Sequence, residues 1–148
     1  MTLKEKITDD MRAAMRARDA PRLSAIRLLL AAVKQKEVDE RIVVDDAMVL
    51  AIVDKLLKQR KDSLAQFLAA GRADLADKEA AEVELLSTYL PAQLSEAELD
   101  AAIDAAVSES GANGAAAIGK VMAILKPRLA GRADLSRASA QVKKRLAG

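Results

Sequence analysis

Residues 45–71, which read DDAMVLAIVDKLLKQRKDSLAQFLAAG, decide the class of fold. Apolar side chains recur here every three or four residues, a spacing that places them on one face of an α-helix. This stripe consists of Val49, Ile52, Val53, Leu56, Leu64, Phe67 and Leu68. Asp45 can cap the first turn with its side chain, and Gly71 stands where a glycine often ends a helix. The sequence therefore predicts one long amphipathic helix over 46–70.

Two helices are predicted before this stretch. A Thr-x-x-Glu capping box at Thr2 and Glu5 opens the first, which runs to about Arg18. The second covers 21–39, and a short extended connector over 42–44 leads into the long helix. Ala, Leu, Lys, Arg, Glu and Asp dominate the composition, which favours helix almost throughout the chain.

Two more helices are predicted between residues 74 and 111. Asp74 is the expected N-cap of the first, which continues until Pro91 stops it. The second opens at a capping box formed by Ser95 and Glu98. The segment between Pro91 and Ser95 is therefore a natural boundary between two parts of the chain.

The last part of the chain predicts two helices. One carries an apolar stripe from Ile118 to Leu125, and Pro127 is expected to limit its length because proline lacks the backbone N–H. The other follows Gly131 and begins near Leu135. No segment indicates a strand, so we predict an all-α protein. We expect helical hairpins over 1–93, followed by a small three-helix tail domain over 94–148.

The composition excludes several classes of function. The 148 residues include no Cys, no His and no Trp, with one Tyr and one Phe. A disulfide framework, a structural zinc site and the usual catalytic dyads are therefore absent, and two aromatic residues cannot form a platform for stacked bases. The longest apolar run is seven residues, and the charged start shows no secretory signal. We expect a cytoplasmic protein without a membrane partner.

The charges are strongly segregated along the chain. Residues 75–111 hold one basic and nine acidic side chains, whereas residues 112–148 hold eight basic and one acidic. We predict that the basic tail contacts phosphates of RNA, because clustered cations bind the nucleic-acid backbone. The predicted contacts are Lys120, Lys126, Arg128, Arg132, Arg137, Lys143 and Lys144. Two alternatives stay open: cations near helix C-termini oppose the helix dipole, and the tail can dock on the acidic stretch.

Two glycines are predicted to have structural roles in the tail. Gly119 would permit a close approach of a helix or backbone, or serve simple packing, and Gly131 ends a helix before Asp134 caps the next. Residues 114–120, GAAAIGK, match the first seven positions of a P-loop. Val121 follows where a magnesium-binding Ser or Thr is required, and a helix rather than a strand precedes Gly114. We expect no nucleotide and no other cofactor.

The carboxylates do not suggest a metal or acid–base site. Neighbouring acidic residues on a helix point in different directions, so the pairs Asp9/Asp10, Asp39/Glu40 and Asp45/Asp46 are expected to act as caps or to face solvent. We expect the same of Glu79, Glu82 and Glu84. The basic run over 58–61 is expected on the outer side of its helix, so no catalytic residue and no metal ligand is predicted.

The order of four motifs resembles the YqeY family. These are RLSAIRLL at 22–29, YLPAQLS at 89–95, GKVM at 119–122 and GRAD at 131–134. Proteins of this family are similar to the C-terminal part of GatB, a subunit of the glutamine-dependent amidotransferase that corrects mischarged tRNA. The resemblance covers essentially the whole chain. It implies a helical subdomain and a small helical tail, and in GatB the tail helps to hold tRNA.

The resemblance implies a limit as well as a function. The GatB domain that activates the tRNA-linked carboxylate would precede this region, and it is not in this sequence. A carbon–nitrogen ligase activity with glutamine as the amido donor would therefore attach to this chain by kinship only, with no activity expected alone. Our leading hypothesis is a module that binds tRNA or structured RNA. The alternatives are a protein–protein adaptor in translation and a non-catalytic component of the ligase complex.

Overall fold

A computed structural model describes residues 1–111 and 114–147, and these residues form seven α-helices and no strand. The prediction of an all-α fold is therefore confirmed. The helices are α1 Leu3–Ala17, α2 Ala20–Glu40, α3 Asp46–Ala69, α4 Ala73–Ser87, α5 Glu96–Ser110, α6 Ile118–Leu129 and α7 Leu135–Ala147. A 3-10 turn over Ala115–Ala117 precedes α6. No helix in the described part of the chain is long and apolar enough to cross a membrane.

The chain divides into an N-terminal unit, Met1–Leu90, and a C-terminal unit, Pro91–Gly148. Helices α1 to α4 share one core in the first unit. Its buried side chains include Ile7, Ala14, Ile26, Leu29, Val33, Val49, Val53, Leu57, Leu86 and Tyr89. Helices α5, α6 and α7 share a second core, in which one stripe of each helix is buried. That core contains Leu99, Ile103, Ala106, Val121, Leu125, Leu129, Ala138 and Val142.

Side-chain caps set most helix starts where the sequence predicted them. Thr2 and Glu5 form both hydrogen bonds of a capping box. Asp45 Oδ1 accepts a hydrogen bond from the Met48 amide at 2.8 Å, and Ser95 Oγ accepts one from the Glu98 amide at 3.1 Å. These bonds satisfy amides that would otherwise have no partner in the first turn.

Two predicted helix boundaries are wrong. α4 begins at Ala73 with Arg72 at the N-cap, so Asp74 lies within the first turn and pairs with Arg72. A carboxylate there is favourable because it faces the positive end of the helix dipole. α6 runs through Pro127 to Leu129, whose side chain is 1% exposed. Burial of Leu129 outweighs the single hydrogen bond that proline removes near the helix end.

Candidate nucleic-acid interface

The C-terminal unit brings three arginines of the basic tail onto carboxylates of α5. Arg137 and Arg145 of α7 contact Glu96 and Asp104 respectively. Arg145 is eight residues after Arg137, and its partner Asp104 is eight residues after Glu96. α7 therefore runs alongside α5 in the same direction. A third pair joins α6 to α5, with Arg128 NH2 at 2.6 Å from Glu109 Oε2.

The sequence left open that the basic tail docks on the acidic stretch of the same chain. These three pairs are contacts of that kind. The Glu109 carboxylate raises the pKa of the Arg128 guanidinium through this hydrogen bond and its charge. All three arginines keep about half of their side-chain surface exposed, between 42% and 54%. Exposed ion pairs contribute little to the stability of a fold, so the main effect of these pairs is to offset charge. Arg128 and Arg137, both predicted phosphate contacts, are therefore partly neutralised.

The remaining predicted contacts are exposed, and the described residues provide none of them with a carboxylate within 4.0 Å. They are Lys120, Lys126, Arg132, Lys143 and Lys144. Lys126 and Lys144 lie in the last turns of their helices, where a cation stabilises the helix dipole. Lys120 lies in the first turn of α6, where the same dipole disfavours a cation. Its position has no explanation in helix stability.

The two tail glycines have different surroundings. Gly131 adopts a left-handed backbone with φ of 70° in the connection from α6 to α7, as its predicted role requires. Its carbonyl accepts a hydrogen bond from Gln93 Nε2 at 2.6 Å. At Gly119 a Cβ atom would meet no described atom within 4 Å, so nothing in this part of the structure approaches it closely. The close approach of a helix or backbone that was expected at Gly119 is therefore absent among the described residues.

The N-terminal unit contains a charged layer that the sequence pattern misplaced. Arg60 lies between α3 and α4, with Nε at 3.2 Å from Glu82 Oε2 and NH1 at 3.7 Å from Glu79 Oε1. Glu82 is 8% exposed. The expectations that these glutamates face solvent, and that Arg60 lies on the outer side of its helix, are wrong. Arg60 is three residues after Leu57 and four before Leu64, so the helical spacing places it on the same face, toward α4. We missed this position because a charged residue was not counted in the apolar stripe.

The acidic residues of the described chain do not gather into a metal site. No group of three or more Asp or Glu side chains there could hold a metal ion. Asp10 accepts a hydrogen bond from the Tyr89 hydroxyl at 2.7 Å, which ties α1 to the end of the unit. Burial and then the Asp10 carboxylate raise the pKa of Tyr89. These contacts support the fold and leave the exposed cations as the candidate interface.

Comparison with known proteins finds a family model that matches nearly the full chain and relatives that match about two thirds of it or more. A family model described as Yqey-like protein matches residues 4–146. The chain is 39% identical to a protein of Lachancea thermotolerans named altered inheritance of mitochondria protein 41, mitochondrial. That alignment covers 104 residues, 68% of this chain and 55% of the relative. A protein of the same name from Eremothecium gossypii is 39% identical over 121 residues, 79% of this chain and 66% of that protein.

A further relative with this name, from Saccharomyces cerevisiae, is 37% identical over 92 residues, 62% of this chain and 50% of its own length. The chain thus spans about half to two thirds of the curated relatives it matches. These relatives are named as mitochondrial proteins. Their names contradict our expectation of a cytoplasmic location, which was inferred from the absence of a signal and is wrong.

Proposed function

Because the chain belongs to the Yqey-like protein family, we propose that it binds structured RNA through its C-terminal unit, with tRNA as the first candidate. Support for the RNA comes from the resemblance to the tRNA-holding tail of GatB. Support for the surface comes from the charges. Five exposed cations lie on a three-helix unit in which three other cations, Arg128, Arg137 and Arg145, already offset carboxylates of α5.

The position of Lys120 carries the proposal. A helix dipole accounts for lysines in the last turns of α6 and α7, but it opposes Lys120 in the first turn. No described carboxylate compensates that charge. The sugar-phosphate backbone of a bound RNA would compensate the charge of Lys120. Binding would gain affinity from the release of condensed counterions.

The proposed recognition is of backbone and shape. The two aromatic side chains, Phe67 and Tyr89, both lie in the N-terminal unit, and Tyr89 is 6% exposed. The described C-terminal residues therefore offer no ring on which an unpaired base could stack. Lysine and arginine contacts to phosphates carry no base information, so binding is expected to depend weakly on sequence.

The proposed role is to hold RNA, and it assigns no chemical step to this chain. With no His and no Cys, no serine has the usual activating base. An association with a glutamine-dependent amidotransferase is the extended form of the proposal. In that form the chain contributes RNA binding, while partner subunits carry out amide transfer.

Fluorescence anisotropy with labelled tRNA, at several salt concentrations, tests the proposal. We compare the native chain with Lys120→Gln/Lys143→Gln/Lys144→Gln. These lysines are chosen over Arg137 because its substitution would also break the pair with Glu96. We expect the triple variant to bind about tenfold or more weakly at low salt. The slope of log K against log salt should be shallower by roughly 2–3, since each lost phosphate contact removes nearly one counterion.

The matched control is Lys55→Gln/Lys61→Gln/Lys78→Gln. It removes the same charge from exposed lysines of the N-terminal unit, none with a described ion pair. It should retain native affinity to within about twofold, since only nonspecific attraction changes. If native protein fails to bind at low salt, or both triple variants lose affinity equally, the tail is not the RNA-binding surface.

A protein–protein adaptor is the second candidate function, and one observation favours it. Helix α2 exposes apolar side chains on the face directed away from its own core.

A further inference from the structure

Helix α2 is apolar on two opposite faces. Its inner face contributes Ala25, Ile26, Leu29 and Val33 to the N-terminal core. Its outer face, which we define as Ser24, Leu28, Ala31, Gln35 and Val38, is exposed along its length. Leu28 is 47% exposed and Val38 is 59% exposed. A surface helix normally presents polar residues opposite its core stripe, so α2 has more apolar surface than its own fold requires.

The outer face has the spacing of a helix-packing stripe. Its residues alternate steps of four and three, the repeat with which one helix packs along another. Ala31, in the middle, leaves room for a partner helix to approach closely. Beside it the surface of α2 over Ala20, Leu23, Ser24, Arg27, Leu28 and Ala31 is open to solvent. A partner helix can therefore approach this side of α2.

The charges along this stripe specify the chemistry of the partner. Arg27 and Lys34 lie one heptad apart on one edge, both exposed, with no ion pair among the described residues. On the other edge Asp39 accepts a hydrogen bond from Gln35 Nε2 at 2.8 Å. Glu40 at the helix end pairs with Lys36 at 2.7 Å. The hydrogen bond from the neutral Gln35 leaves the charge of Asp39 in place. Two cations therefore stand against one unpaired carboxylate, and the net charge beside the apolar stripe is positive.

We propose that the outer face of α2 docks an amphipathic α-helix of a protein partner whose apolar stripe is bordered by Asp or Glu. Leu28 and Val38 supply apolar contact, while Arg27 and Lys34 pair with the acidic edge. If a second copy of the chain packed antiparallel on the same face, Arg27 of each copy would lie opposite Lys34 of the other. Charge repulsion disfavours that arrangement. RNA would gain little from Leu28 and Val38, because phosphates require no apolar stripe.

A synthetic peptide about three heptads long, with Leu and Ala in its stripe and Glu on the flanking positions, is the probe. Its counterpart carries Lys in place of Glu. Binding of both labelled peptides to the full chain is measured by anisotropy. We expect the Glu peptide to bind about tenfold more tightly than the Lys peptide, because like charges repel at the edge. Arg27→Glu/Lys34→Glu should reverse that order.

Leu28→Gln/Val38→Gln should weaken the Glu peptide by about tenfold or more, since the apolar contact is lost. Both positions are exposed, and glutamine is a good helix former, so circular dichroism should stay native. Leu68→Gln, on an exposed leucine of α3, is the control and should have no effect. Equal affinity for both peptides would overturn the proposal. The proposal would also be overturned if the native chain formed a dimer that Leu28→Gln/Val38→Gln dissociates. Loss of tRNA binding in that variant would overturn it as well.

Discussion

Arg60 contributes one cation to an interface that holds two carboxylates. Glu79 Oε2 and Glu82 Oε2 are buried, and neither accepts a well-aligned hydrogen bond from a described residue. Glu82 Oε2 contacts Arg60 Nε as an ion pair only. Removing a carboxylate from water costs free energy that a single nearby guanidinium offsets only in part. The layer is therefore a weak source of stability while intact, and removing its cation should be costly.

Arg60→Leu should lower the free energy of unfolding of the N-terminal unit by about 2 kcal/mol, because two buried carboxylates lose their counterion. The triple variant Arg60→Leu/Glu79→Leu/Glu82→Leu should be close to native or more stable, since apolar groups replace the whole layer. Urea unfolding followed by tyrosine fluorescence measures both, because Tyr89, the only tyrosine, lies in this unit. A harmless Arg60→Leu would show that water solvates the two glutamates.

Glu37 predicts a pH dependence of stability. Lys4 Nζ lies at 2.8 Å from Glu37 Oε1, and the Val44 amide donates to Oε2 at 3.2 Å. The hydrogen bond from Lys4, then that from Val44, holds the pKa of Glu37 below its ordinary 4.5. The carboxylate thus stabilises the fold above that pH, and its contribution is lost as pH falls through the lower folded-state pKa.

Urea unfolding of the native chain and Glu37→Gln, followed by tyrosine fluorescence between pH 7 and pH 3, measures this contribution. The difference in free energy of unfolding should stay constant from pH 7 down to about pH 5 and shrink below the ordinary pKa. Glu84→Gln, at an exposed carboxylate of the same unit with no described ion pair, is the comparison. If the difference in free energy of unfolding is unchanged at pH 3, the effect of Glu37→Gln does not come from the charge of the carboxylate.

At the scale of helices, local capping and periodicity were sufficient to predict most elements. Thr2, Asp45 and Ser95 cap the helices that they were expected to open, because an N-cap depends on neighbours within one turn. Pro127 and the Arg60 layer could not be predicted in this way. Each is decided by a distant partner: the core that buries Leu129, and the glutamates of the next helix.

Two glycine substitutions should have opposite effects on the C-terminal unit. Gly119→Ala should stabilise α6 by about 0.5–1 kcal/mol, since alanine costs less backbone entropy and no described atom lies near its Cβ. Gly131→Ala should destabilise the connection by about 1 kcal/mol, because its left-handed backbone disfavours a Cβ. Hydrogen exchange of α6 and α7 amides by mass spectrometry measures both.

Gly119→Ala also tests whether this glycine serves RNA binding. Unchanged tRNA affinity, together with slower exchange in α6, would assign Gly119 no role in binding. Weaker affinity in the more stable variant would mean that RNA approaches the backbone at Gly119.

At the scale of the molecule, the two units have similar net charges, but the charges are distributed differently within them. The N-terminal unit holds 16 basic and 16 acidic residues, and the C-terminal unit holds eight and six. The segregation along the sequence was visible in the composition of each segment. The sequence could not show that α7 runs beside α5, so that Glu96 and Asp104 meet Arg137 and Arg145. Together with the pair of Arg128 and Glu109, this pairing leaves five of the eight basic side chains of the C-terminal unit without a described carboxylate within 4.0 Å.

If phosphate binding uses the charge left uncompensated on the C-terminal unit, releasing the paired arginines should increase it. Glu96→Gln/Asp104→Asn/Glu109→Gln frees Arg137, Arg145 and Arg128, and should tighten tRNA binding at low salt by about tenfold, with a steeper salt slope. Asp62→Asn/Asp77→Asn/Glu84→Gln makes the same change in net charge on exposed carboxylates of the N-terminal unit that have no described ion pair. Anisotropy titrations compare the two. Equal gains would mean that RNA responds to total charge alone, because a localised interface must respond to the charges beside it and much less to distant ones.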